Sequence, residues 1–507
     1  LPRKRSPTTR EALPMTAARL LALASLFVTF ALYAADKPAD KNAIPADVSF
    51  YKDVRPIFQQ HCNGCHQPAK PSGGFVMTAR AELLKSGESD KPAVVPGRPD
   101  LSNLVSQVSP HGDKKPLMPR NLPPLVDRDV ALIKKWIAQG AKDDTPVSDR
   151  VAIDMQHPPA YLLPPVIASL AYSPDGKILA VAGRHEVLLH KADGSGLIGR
   201  LVGQAERVQS MAFSPDGKLL AVAGGSPALF GEIQVWDVAK KKLKLSHSVT
   251  FDTLYGASWS HDGTKVAFGC ADNTVRALDV ATGKQVLYQG AHNDWVLGTA
   301  FSTDSEYLVS VSRDMTVKLT HVPTQRFIDN VTSITPGVLK GGITTLARRP
   351  FKVKRMVKPK DISIGEVKEM VYDELLFGGS DGVPRLYKMH RETKRVIGDD
   401  ANKVREYEAM PGVIESVSFN ADGKLFAAGS RLSGTGEVRV YQTDDGKRVS
   451  QFAGQKGGVF AVAFSPDGKT VASAGFDGVV RLNDPMTGKL VKEFVPVPGL
   501  TTTTATK

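Results

Sequence analysis

Cysteine is almost absent from this chain, with three in 507 residues. Two of them, Cys62 and Cys65, share the stretch "HCNGCH" (61–66), and the third, Cys270, closes the apolar run "KVAFGC". There is no second C-x-x-C, so the ligand set of a cysteine-rich zinc site is lacking. Cys270 reads as a small buried residue. Acidic residues are outnumbered, 52 against 65 Lys and Arg, for a formal charge of +13. Residues 1–35 carry +4 of that excess, which leaves +9 for all the rest. A surplus so modest and so spread does not mark a nucleic-acid-binding protein. A long hydrophobic run is found only at Leu20–Ala35, "LLALASLFVTFALYAA", after Arg19 and before "DKPADK". Basic flank, apolar stretch and small residues at its end read as a secretory signal over 1–35, with an upstream extension before Met15. The run is short for a membrane-spanning helix of ~20 residues. Membrane attachment is expected only if this segment stays uncleaved. No cysteine stands at the cleavage position, which argues against a lipid anchor.

What is present begins with the cysteine pair. In "SFYKDVRPIFQQHC", Phe50, Val54, Ile57 and Phe58 recur at helical spacing, Ser49 suits an N-cap, and Pro56 falls in the first turns. A helix there delivers Cys62 at its C-terminal end. Cys62 and Cys65 are spaced to form thioethers with one haem, and His66 follows at once as an iron ligand. The alternatives are a zinc site recruiting His61 or His111, and a bare redox dithiol. For a second axial ligand the candidates are Met118, in the Pro-bounded loop "KKPLMPRNLPP", Met77, in "GGFVMT", and His111, in the polar turn "SPHGDKK". Met118 is the expected ligand, Met77 is expected in the core and His111 in solvent. A further helix is expected in "LVDRDVALIKKWIAQGAKDD", with Val126, Val130, Ile133 and Ile137 on one face, Asp127 as cap, Gly140 as stop and Trp136 packed against the first helix or the haem edge.

These stretches, with "ARAELLKSGESDKPAVVPGRPDLSNLVSQVS" and "LMP", resemble the planctomycete-type cytochrome c domain of large exported bacterial proteins. The resemblance implies a small all-α domain over 47–146 carrying one covalent haem c. In that family the Met of the Met-Pro pair is the distal ligand, which carries over to Met118. One departure is Gln67–Pro71, where members often have a more Gly-rich run.

Residues 147–165 are polar and Pro-rich and read as a linker, with an edge strand as a further expectation. A repeat then sets in: "LAYSPDGKILAVAG" (170–183), "MAFSPDGKLLAVAG" (211–224), "ASWSHDGTKVAFGC" (257–270), "TAFSTDSEYLVSVS" (299–312), "SVSFNADGKLFAAG" (416–429) and "VAFSPDGKTVASAG" (462–475). Each is strand, tight Asp-Gly-type turn, strand. The turn aspartates, Asp175, Asp216, Asp262, Asp304, Asp422 and Asp467, stand 41, 46, 42, 118 and 45 apart. The long gap holds one more copy, in "ITTLARRP" and "DELLFGGSDGVPRLY", plus an insertion. Seven repeats of forty-odd residues predict an all-β seven-bladed propeller over 166–497, with a disordered tail at 498–507. Third strands ending in "VWD", "ALD" and "RLND" resemble the WD40 family. His292, Ser310 and Asp314 match that family's hydrogen-bond network, although Thr320 stands where its Trp is usual. Asp272, Asp381 and Asp477 occupy the same turn elsewhere and are assigned to structure. The insertion, "RRPFKVKRMVKPK", carries Arg348, Arg349, Lys352, Lys354, Arg355, Lys358 and Lys360, read either as a solvated loop or as a docking patch for an acidic partner or an anionic surface.

Taken together, the expectation is an exported, periplasmic monohaem cytochrome that passes electrons to redox partner proteins, with the propeller as docking or assembly platform. The competing readings are a redox enzyme with a site on the propeller, and a scaffold or sensor with an auxiliary haem.

Overall fold

In the computed structural model, which describes residues 44–120, 122–146, 153–335, 338–357 and 368–501, the helical pattern before Cys62 is one turn of π-helix, Phe50–Val54, running into α1, Arg55–His61. Ser49 caps it reciprocally. The Lys52 N–H donates to Ser49 Oγ at 2.9 Å, and the Ser49 N–H donates to Asp53 Oδ2 at 2.8 Å. Three further helices follow: α2, Arg80–Leu83; α3, Asn103–Val108; and α4, Asp127–Ala138. Phe50, Val54, Ile57 and Phe58 are buried against Val130, Leu132, Ile133, Trp136 and Ile137 of α4 in one apolar cluster. Val126 does not join this face. It precedes the first helical residue, takes an extended conformation and is exposed. Trp136 stacks on Phe50 with centroids 5.2 Å apart and meets Phe58 edge-on at 6.4 Å, while its Nε1–H donates to the Lys142 carbonyl at 2.9 Å. Gly140, at φ +93°, ends the helix.

From Leu170 onward the chain is antiparallel sheet. The Asp-Gly turns repeat one device. Ser173, Ser214 and Ser465 donate to Asp175, Asp216 and Asp467 at 2.6, 2.7 and 2.6 Å, and the same carboxylates accept the N–H of Lys177, Lys218 and Lys469 at 3.1 Å. Gly176, Gly217 and Gly468 sit at φ +70°, which only glycine adopts freely. Four-stranded sheets begin at Leu254–Trp259, Val296–Phe301, Ile343–Arg348, Val413–Phe419 and Val459–Phe464. The rest lies in one seven-stranded sheet from Leu170–Tyr172 to Lys242–Thr250. Its long strand Leu197–Phe213 pairs first with Arg184–Lys191 and then with Leu219–Ser226, so one strand ends a repeat and opens the next.

The first strands of successive repeats are neighbours, and Val459–Phe464 of the last meets Leu170–Tyr172 of the first. No continuous ladder joins these sheets. They are joined by packing: Leu179, Val181 and Leu188 share a core with Ala472, Val480, Leu482 and Val497. The Ile167 N–H also donates to the Gly475 carbonyl at 3.0 Å. Leu500 packs against the same core.

The expected edge strand before the repeats is not formed within 153–165. Side chains tie that stretch down instead: the Tyr161 hydroxyl donates to Glu186 Oε1 at 2.7 Å and Arg200 donates to the Pro159 carbonyl at 2.7 Å. Prolines at 158, 159, 164 and 165 withhold the donors a ladder needs. The basic insertion forms a hairpin, Val353–Val357 with Lys368–Tyr372, between the first two strands of its sheet. Asp47–Lys507 form one compact unit; of the unit before it, Leu1–Ala46, only 44–46 are described. The expected signal segment 1–35, residues 147–152 of the linker, Lys358, Lys360 and 502–507 lie outside the described residues.

Candidate functional site

α1 ends where the cysteine motif starts. The N–H of Cys62 donates to the Phe58 carbonyl at 2.9 Å, and those of Cys65 and His66 both donate to the Cys62 carbonyl at 3.0 Å. The loop is thereby curled so that Cys62 faces the helical core while Cys65 is exposed. Both thiols are free. Burial, with Cys65 nearby, pushes the Cys62 thiol up to about 12.

His66 begins a short strand, His66–Gln67, paired with Lys70–Pro71. Its Nδ1 lies 3.2 Å from the Phe75 carbonyl oxygen, and its ring meets the Phe75 ring at 5.8 Å. A carbonyl there selects the tautomer with the proton on Nδ1 and leaves Nε2 as the lone-pair donor, the state in which imidazole binds a metal. Burial lowers the His66 pKa, although the hydrogen bond to Phe75 works the other way. The His66 carbonyl accepts from the Met77 N–H at 2.8 Å.

Met118 is half-buried against the apolar cluster that also contacts Cys62 and Phe75, and its N–H donates to the Gln107 carbonyl at 3.0 Å. Met77 lies within that cluster. His111 is exposed, with Nε2 against the Ser106 carbonyl at 2.9 Å. Cys270 is buried in the third repeat, far along the chain from the motif.

Sequence reasoning did not find what covers the motif. Strands Phe230–Asp237 and Lys242–Thr250 of the β region lie against α1 and the motif loop. A Cβ placed on Gly64 would stand 2.8 Å from the Ser246 carbonyl oxygen, so the two backbones touch there. Gln67 is wholly buried and donates through Nε2 to Glu232 Oε1 and to Ser246 Oγ, each at 3.2 Å. Burial raises the Glu232 pKa against four hydrogen bonds that lower it. One signal was available: Glu232 is an acid in the middle of the largely apolar strand "FGEIQVWD", whose other acid, Asp237, stands at its end.

In the β region, His292 is buried, with Nδ1 3.0 Å from Asp314 Oδ2 and Nε2 2.8 Å from Ser310 Oγ. Asp381 and Asp477 pair with Arg385 and Arg481 at 2.7 and 2.6 Å, and Asp272 pairs with Arg276, so these carboxylates are spent on structure. A cavity of about 550 Å³ is lined by Leu170–Tyr172, Gln209–Phe213, Tyr255–Ala257, Leu297–Thr299, Thr344–Leu346, Glu415–Ser418 and Phe460–Phe464. The carboxylate of its Glu415 is held by Arg431.

Fold and site define a chain that joins a cytochrome-c-like helical domain to β repeats, and comparison with known families agrees. The model described as planctomycete cytochrome C matches residues 62–121. The model described as WD domain, G-beta repeat, matches 195–226, 283–320 and 446–484. Among curated relatives, a WD repeat-containing protein 91 homolog from Dictyostelium discoideum is 27% identical over 17% of this chain and 11% of its own length. A U3 small nucleolar RNA-associated protein 21 homolog from Schizosaccharomyces pombe is 32% identical over 22% of this chain and 12% of its own. The chain thus spans only a small part of the length of these relatives. WD40 repeats of this kind support protein–protein contact.

Proposed function

We propose that this chain is an exported monohaem c-type cytochrome that transfers electrons, carried on a seven-bladed propeller that docks it to a partner protein or an assembly. The helical domain would span 47–146, the linker 147–165 and the propeller 166–497, and the segment 1–35 would direct export to the periplasm. The propeller reading is supported by the cyclic order of first strands, the cavity they line and the core shared between first and last repeats.

The donor set fits haem c. Cys62 and Cys65, both free, would form its thioethers, His66 would ligate the iron on one side and Met118 on the other. The bound haem supplies a one-electron couple. The rest is done by the chain. The Phe75 carbonyl holds His66 Nδ1 and frees Nε2. Phe75 and Met118 pack on the same apolar cluster, and the Phe75 ring meets the His66 ring edge-on. A thioether and an imidazole together favour electron transfer over substrate activation.

The observation that carries this reading is the His66 Nδ1 contact with the Phe75 carbonyl, in the residue that directly follows two free thiols at C-x-x-C spacing. The test is carbon monoxide binding to the reduced protein, made in a host with haem-attachment machinery. Wild type should not bind it, and Met118→Ala should. Binding by wild type would overturn the carrier reading in favour of sensing or catalysis.

A further inference from the structure

The contact between the motif loop and the β region is built around a buried carboxylate. Glu232 is 1% exposed and forms no ion pair among the described residues. Its Oε1 accepts from Gln67 Nε2 and from the Ser246 hydroxyl, and its Oε2 accepts from Gln234 Nε2 at 2.8 Å. Gln234 Oε1 accepts in turn from Trp236 Nε1 at 2.8 Å. A line of hydrogen bonds therefore runs from the core of the second repeat, through Glu232, to the residue that follows His66. A carboxylate without a cation is expensive to bury and is tolerated where donors converge on it. Ser246 and Gln234 come from the sheet itself, whereas Gln67 arrives from 165 residues away in sequence. Without Glu232 the incoming amide would keep only the Ser246 hydroxyl as a buried acceptor. Gly64 against Ser246 and Ala69 against the apolar core of the first two repeats add contacts on either side.

We propose that Glu232, together with Ser246, is a positioning residue for the haem-attachment loop: by holding Gln67 it fixes the main chain that carries His66. The inference rests on the reading of Cys62, Cys65 and His66 as haem-binding residues. His66 is then held at two points, its ring by the Phe75 carbonyl and its backbone by the anchored Gln67. The β region is thus part of the redox site rather than only a platform beside it. Releasing Gln67 admits water to the loop, and water favours the more highly charged oxidised iron, so the midpoint potential falls.

The test uses the full chain expressed with haem-attachment machinery, as wild type, Gln67→Ala, Glu232→Ala, Glu232→Gln and the Gln67/Glu232 double alanine variant. Hydrogen–deuterium exchange over 62–72 reports the loop whether or not haem is bound, and a redox titration of the haem absorbance reports the midpoint. Both single alanine variants should speed exchange over 62–72 at least tenfold, and Gln67→Ala, which changes no charge, should lower the midpoint. The double variant should go no further than either single one. Glu232→Gln, which keeps an acceptor oxygen, should recover part of the protection over 62–72. Gln67→Ala leaves the interior of the sheet intact, so it remains informative if Glu232→Ala fails to fold. Unchanged exchange and midpoint in Gln67→Ala would overturn the proposal. Faster exchange with an unchanged midpoint would reduce the contact to packing and overturn the positioning role. Absence of covalent haem from wild type would instead mark the failure of the haem reading, and the positioning role would fall with it.

Discussion

His247 stands beside Ser246 on the strand that covers the cysteine motif, and its charge state bears on that contact. Burial first, and then Arg276 and Lys70, lower its pKa from 6.5 to about 4. A histidine whose folded pKa is depressed stabilises the fold above its unfolded pKa and loses that contribution as pH falls through the folded value. Stability should therefore decline between pH 6.5 and 4, by roughly 2–3 kcal/mol from this group. Urea unfolding across that range checks it: His247→Gln should show a flatter profile than wild type, and parallel profiles would contradict the assignment. At the same scale, the motif residues were legible because C-x-x-C-H is a local pattern. Glu232 stood out only as an acid within a strand and Gln67 not at all, because nothing in either neighbourhood announces a partner 165 residues away.

At the scale of elements, the turns of the β region were readable because they close on themselves: in most a serine, an aspartate and a glycine lie within a few residues, and where Ser305 or Asn420 replaces one of them the aspartate still accepts a backbone N–H. The basic insertion was readable as an insertion between two strands but not as to what its charges do. Arg349 is buried between Glu374 and Asp444, each at 2.9 Å, and Arg355 also reaches Glu374. Arg348 lies 3.6 Å from Asp373, Lys352 lies 3.4 Å from Asp304, and Lys354 pairs with Glu369 at 2.7 Å. The acids come from the hairpin, the next strand, an earlier turn and a later one, so a run of cations in sequence is largely neutralised in space. The hairpin base should accordingly behave as buried structure. Arg349→Met should cost about 2 kcal/mol, since it leaves the buried Glu374 carboxylate with Arg355 as its one remaining cation. Lys354→Met, at an exposed pair, should leave stability nearly unchanged. Denaturant midpoints for the two variants decide this, and equal small effects would restore the reading of a solvated basic loop.

At the scale of the whole molecule, two joints hold the chain together. One is the apolar core shared by the first and last repeats, to which Val497 and Phe494 contribute from the C-terminal end. The repeat period made such a joint expected, but its residues are nearly the whole β region apart in sequence and carry no mark of one another. Deleting the chain from Leu490 onward should expose that core, lower the thermal midpoint and broaden the transition. Retention of a sharp, unshifted transition would show that the repeats do not depend on this shared core. The other joint sets the cysteine motif against the second repeat, and it gives the account its redox meaning only if haem is there. The most direct measurement is the absorption spectrum after denaturation and extraction, for protein made with haem-attachment machinery. The account predicts that haem stays with the wild-type polypeptide and is lost from Cys62→Ser/Cys65→Ser. A wild-type chain that keeps no haem under those conditions would contradict it.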